Sequence, residues 1–103
     1  MLIQIGECIF DEEQYELSHG FDKLDSVGKE AFVNHIHFDE LDRIELVDAK
    51  IAAWVRETKS KWPQQRFRIY RHVESDEVTI RFHLVRKQVP NWCDSGLEII
   101  EVQ

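Results

Sequence analysis

At Pro63 the hydrophobic period of this chain changes, and that change limits its fold more than any other feature. Before it, residues 39–62 contain neither Gly nor Pro, and Leu41, Ile44, Ile51, Val55, Thr58 and Trp62 fall on a three- and four-residue grid. That grid is one stripe of an α-helix. Asp39 suits the N-cap, Glu40 and Asp42 suit a first turn whose dipole favours negative charge, and Lys59 and Lys61 suit the last turn. Asp39 with Arg43 and Glu57 with Lys61 stand at i,i+4, worth about 0.3 kcal/mol each. A shorter helix capped by Asp48 is the alternative.

After Pro63 the period is two. Phe67, Ile69 and Val73 alternate with polar residues, Glu74 to Glu77 turn the chain, and Val78, Ile80, Phe82 and Leu84 alternate again. The segment 66–87 therefore predicts a C-terminal β-hairpin. With Val73 opposite Val78, Ile69 faces Phe82 and Phe67 faces Leu84, so one face is apolar apart from Arg71. A slip of one residue would bury the arginines of the other face, which fixes this register. That second face carries Arg66, Arg68, Tyr70, His72, Thr79, Arg81, His83 and Val85, and is expected to lie open to water or a partner.

Further strands are expected over Leu2 to Phe10, Phe32 to Phe38 and Leu97 to Val102. Gln14 to Ser18 could return against the first across an Asp11-Glu12-Glu13 turn. Asp25 to Phe32 could instead form a helical turn opened by Asp25 or Ser26. Neighbouring antiparallel strands around one long helix predict an α+β class, with a largely antiparallel sheet packed on one face by the helix of about residues 39–62. One domain over 1–103 accommodates all of this.

Charge is divided along the chain. Residues 1–48 hold thirteen Asp and Glu against Lys23, Lys29 and Arg43, whereas residues 49–103 hold ten Lys and Arg against seven acids. Either the halves neutralise one another, within a chain or between copies in a homo-oligomer, or a charged surface is offered to a partner. A net charge of −7 argues against non-specific nucleic-acid binding, which depends on neutralising phosphates. The start MLIQIGECIF lacks the pattern of a signal peptide, and no apolar run is long enough for a membrane span. Cys8 and Cys93 stand outside any CxxC pairing and read as reduced thiols. A cytoplasmic protein without a membrane partner is the expectation.

Four groups of residues could carry function. Asp11, Glu12, Glu13, Glu40 and Glu45 would steer a basic protein, with Trp92 as an apolar anchor or as a plug for one end of the core. Arg66, Arg68, Tyr70, Arg81 and His83 would hold a phosphate or nucleotide, because like charges on one sheet face call for a counter-ion. His35 and His37 share a strand face and could ligate Zn²⁺ or Fe²⁺, with Asp39 reaching the same face only if it is not capping the helix. No nucleophile motif or Gly-rich phosphate loop is present, so catalysis has no residue pattern behind it, and no cofactor is implied. The first group leads to the expected function: a macromolecule-binding protein of inhibitor or immunity type that blocks a basic partner such as a nuclease or toxin domain.

Overall fold

A computed structural model of the chain describes residues 1–93 and 97–103, and for residues 40–44 the backbone alone. In chain order the elements are β1 (Leu2–Ile5), β2 (Cys8–Asp11), α1 (Glu12–Leu17), α2 (Ser26–Val33), β3 (His35–Asp39), α3 (Glu40–Lys61), β4 (Phe67–Glu74), β5 (Glu77–Leu84) and β6 (Glu98–Val102). The class is α+β. β1 and β2 form an antiparallel ribbon, and the other strands form an antiparallel sheet in the order β3-β5-β4-β6.

The long helix starts directly after Asp39, not after Asp48, and the hairpin takes the expected register, with Phe67 opposite Leu84, Ile69 opposite Phe82 and Val73 opposite Val78. Val47, Ile51, Trp54 and Thr58 are the buried stripe of α3. They meet the apolar sheet face, where Phe67, Ile69, Val78, Ile80, Phe82 and Val102 are buried, and Leu2 and Ile9 of the ribbon join the same core. Thr58 is tolerated there because its hydroxyl donates back to the Trp54 carbonyl at 2.8 Å. Glu57 and Lys61 pair at 2.8 Å as their spacing implies. They also serve β1: the Leu2 amide donates to Glu57 and the Leu2 carbonyl accepts from Lys61 Nζ at 2.9 Å. The Asp39–Arg43 pair and the stripe positions Leu41 and Ile44 lie outside the described side chains.

Three expectations in the first half need correction. Leu2 to Phe10 is a hairpin and not one strand, because Gly6 adopts φ +60° and heads a two-residue turn with Glu7 between the paired Ile5 and Cys8. A glycine leading such a turn is what a type II′ hairpin requires. Gln14 to Ser18 is not a strand. Asp11 accepts from the Gln14 amide at 3.4 Å and caps α1, with Glu12 and Glu13 in its first turn. Phe32 belongs to α2, whose N-cap Asp25 accepts from the Gly28 amide at 2.7 Å, so the helical alternative for that stretch holds and the strand begins only at His35.

That late start has a structural consequence. β3 pairs with β5 only as far as Arg81, which leaves the outer edge of residues 82–84 open. Two buried side chains one turn apart, Glu30 of α2 and its C-cap Asn34, fill the gap. Glu30 accepts from the Ile9 amide at 2.7 Å and the Leu84 amide at 3.0 Å. Asn34 accepts from the Asp11 amide at 2.8 Å and donates to the carbonyls of Ile9 at 2.9 Å and Phe82 at 3.4 Å. These side chains thus satisfy the facing edges of β2 and β5.

Candidate functional site

The arginine-bearing sheet face is largely closed, contrary to expectation. Tyr70 and His83 are fully buried, and Arg68 and Arg81 are partly so. The covering groups are the segment around Trp92 and Cys93 and the C-terminal turn of α2. His83 Nδ1–H donates to the Leu84 carbonyl at 3.0 Å, which leaves Nε2 as an acceptor for the Tyr70 hydroxyl at 2.8 Å and the Trp92 amide at 3.4 Å. The Cys93 amide donates to the Tyr70 oxygen at 3.2 Å, and the Cys93 carbonyl accepts from Arg68 Nη1 at 3.0 Å. That carbonyl also lies 3.1 Å from the Tyr70 oxygen, but the single hydroxyl proton is already directed at His83.

The partners of these two arginines come from within the chain, a carboxylate for Arg68 and a carbonyl and a ring for Arg81. Arg68 pairs with Glu101 on β6 at 2.7 Å. Arg81 donates to the Ala31 carbonyl at 3.1 Å and lies 4.2 Å from the centre of the Trp92 ring, a stacking distance for guanidinium on indole. Trp92 stands edge-on to Tyr70 at 5.2 Å, and 41% of it faces solvent. Arg66 stands apart from this network at the mouth of the hairpin, exposed.

Burial pushes the His83 imidazole below its ordinary 6.5, with the charges of Arg68 and Arg86 acting in the same direction. The unfolded chain then takes up this proton first as pH falls, so the contribution is complete above about 6.5 and lost on acidification below it. Urea unfolding across that range should show stability falling with pH. His83→Phe should remove that component of the slope, since Tyr70 can turn its proton to the nearby Cys93 carbonyl.

His35 and His37 do share a face of β3, with ring centres 5.0 Å apart. Their Nδ1 atoms are engaged, His37 with Glu77 at 2.8 Å and Thr79 at 2.8 Å, and His35 with the Phe32 carbonyl. Among the described residues no three ligating side chains converge on a common point. Asp39 sits opposite Glu77 at the end of β3.

The acidic residues divide into two sets. Asp11 is not a surface group: it is 1% exposed, receives the Trp54 indole N–H at 3.0 Å and pairs with Lys50 at 2.8 Å. Burial alone would raise its carboxyl, but the hydrogen bonds from Lys50 and Trp54 outweigh burial and hold it below 3.8. Glu30 is the second internal acid, paired with Arg86 at 2.6 Å. Glu12, Glu13 and Glu16 on α1 and Glu45 on α3 are exposed, and among the described residues none has an ion-pair partner. Glu40 lies outside the described side chains.

On a helix, positions 12, 13, 16 and 17 fall within one continuous arc, so the three glutamates flank Leu17, which is 70% exposed. The Asp11–Lys50 contact sets the start of α1 against α3, one turn from Leu46, which is 49% exposed. α1 thus carries three exposed glutamates and Leu17, and α3 carries the exposed Glu45 and Leu46. Glu16 stands beside Glu12 and Glu13 in the sequence, whereas the exposure of Leu17 is hidden there because Gln14 to Ser18 reads as a strand.

No helix among the described residues is long and apolar enough to cross a membrane. Comparison of the chain with protein-family models, with curated proteins and with solved structures found no match.

Proposed function

We propose that this chain is a macromolecule-binding protein that docks a basic protein through the acidic surface of α1 and α3, in the manner of an inhibitor or immunity protein that covers a nuclease or toxin domain. One observation carries the reading: the charge asymmetry is not cancelled internally. Second-half cations reach Asp11, Glu30 and Asp48 of the first half, while Glu12, Glu13, Glu16 and Glu45 keep exposed carboxylates. Carboxylates on a fixed helix can stand in for the phosphates that a basic site recognises, and unpaired surface charge raises the association rate more than the affinity. Leu17 and Leu46 supply apolar contacts, and Trp92 is a further anchor outside the acidic surface. Neither Cys8 nor Cys93 is in a disulfide, which suits a reducing compartment, and we place the protein in the cytoplasm.

The test is kinetic. Association of the wild-type chain with a basic partner captured from its own host should slow steeply with added salt. A variant with Glu12, Glu13, Glu16 and Glu45 changed to Lys should associate at least about tenfold more slowly, with a flattened salt dependence. Unchanged rates in that variant would remove the acidic surface from the interface.

A further inference from the structure

At the open end of the β4–β5 hairpin lies a cleft of about 440 Å³, walled by residues 64–66 on one side and 84–87 on the other. Backbone bonds fix both walls. The Gln65 amide donates to the Trp62 carbonyl at 3.0 Å, holding the turn that follows α3, and the Val85 amide donates to the Arg66 carbonyl at 2.8 Å, joining the walls. The cleft shares no residue with the acidic surface of α1 and α3.

Three cations belong to it, and they are not equivalent. Arg86 turns inward: its guanidinium is compensated by Glu30 and further held by the carbonyls of Leu84 at 3.1 Å and Glu7 at 2.9 Å. Arg66 and Lys87 are exposed, and among the described residues neither has an ion-pair partner. Among the described residues no acid lines the cleft, although the chain as a whole carries −7. Leu84 and Val85 are half-buried and give it an apolar side, and Gln64 and Gln65 add amide groups. A concave site of a few hundred Å³ with apolar lining and a few polar groups is the usual form of a small-molecule pocket.

We infer that this cleft binds a small organic anion, whose phosphate or carboxylate head lies between Arg66 and Lys87 and whose apolar body covers Leu84 and Val85. Guanidinium and ammonium together suit such a head, the first as a planar fork and the second as a mobile point charge. The arginine cluster on the sheet face cannot serve in the same way, because Arg68 and Arg81 are already bound to acceptors inside the chain.

Phenyl phosphate is the probe, with benzoate, inorganic phosphate and phenol beside it, and backbone amide NMR shifts of the full chain as the readout. Phenyl phosphate or benzoate should give saturable shifts concentrated at residues 64–66 and 84–87, and whichever binds more tightly identifies the head group. Arg66→Gln with Lys87→Gln, two exposed changes that leave the core intact, should weaken that binding by about tenfold or more. Inorganic phosphate and phenol should each bind more weakly than the matching organic anion. No saturable shift at the cleft with either organic anion, undiminished affinity in the double variant, or phenol binding as tightly as the anions would overturn the inference.

Discussion

Glu30→Ala should cost the fold about 3–5 kcal/mol, the range seen when one member of a buried ion pair is removed. Glu30 is 0% exposed and receives three donors from three places: the Ile9 amide of β2, the Leu84 amide of β5 and the Arg86 guanidinium. Truncation leaves a partly buried cation without its counter-charge and two backbone N–H groups without acceptors. Against a total stability of about 5–15 kcal/mol, that loss should be evident as an early urea midpoint. The pair is nevertheless not a large net source of stability. Burial pushes the Glu30 carboxyl up even though Arg86 and the two amides oppose the shift, so keeping the charge inside is itself costly. Its role is to fix how the ribbon docks on the sheet. Glu30→Met with Arg86→Met should therefore recover part of the loss, and a double-mutant cycle should return strong coupling between the two positions.

Trp54→Ala should cost about 3–5 kcal/mol by a different route, the loss of a large buried side chain and the cavity left behind. Trp54 is 1% exposed, packs edge-on against Phe82 at 4.7 Å between ring centres, and donates its indole N–H to Asp11. Trp54→Phe separates these contributions by keeping most of the volume and deleting the donor, for a loss of about 1–3 kcal/mol. The same change should alter the acid limb of the stability curve. Asp11 titrates below 3.8 in the folded state, so its contribution is present above 3.8 and is lost as pH falls through the lower folded value. With the indole donor gone, less holds that carboxyl down, and acid unfolding should begin at higher pH. An acid limb in Trp54→Phe that superimposes on the wild type would show that Lys50 and the Gln14 amide suffice to hold the carboxylate.

The second half of the chain was legible because its signals are periodic and long. The stripe through Ile51 and Trp62 and the alternation on either side of Glu74 to Glu77 each extend over many residues, so the helix, the hairpin and its register all followed. The first half carries short elements whose signals are single residues at fixed offsets. Gly6 marks a tight turn within what otherwise looks like one strand. Asp11 with Gln14 three residues later is the N-cap pattern of a helix, and its neighbouring glutamates read equally well as a turn.

The closing of the arginine face could not be read at all. It depends on a Trp and a Cys more than twenty residues beyond Tyr70 in sequence, and on a helix that stands where β3 has not yet begun. Local pattern carries no information about such contacts. For the same reason adjacency in sequence groups Asp11 with Glu12 and Glu13, although its side chain turns inward to Trp54 and theirs are exposed.

Docking of a basic protein on the acidic residues is tested by native mass spectrometry of the chain captured gently from its own host's lysate, run beside the variant with Glu12, Glu13, Glu16 and Glu45 changed to Lys. A stoichiometric complex with one basic protein for the wild type, and the bare chain for the variant, is the expected result. A bare monomer or homo-oligomer from both, or a complex that survives the charge reversal, would contradict it.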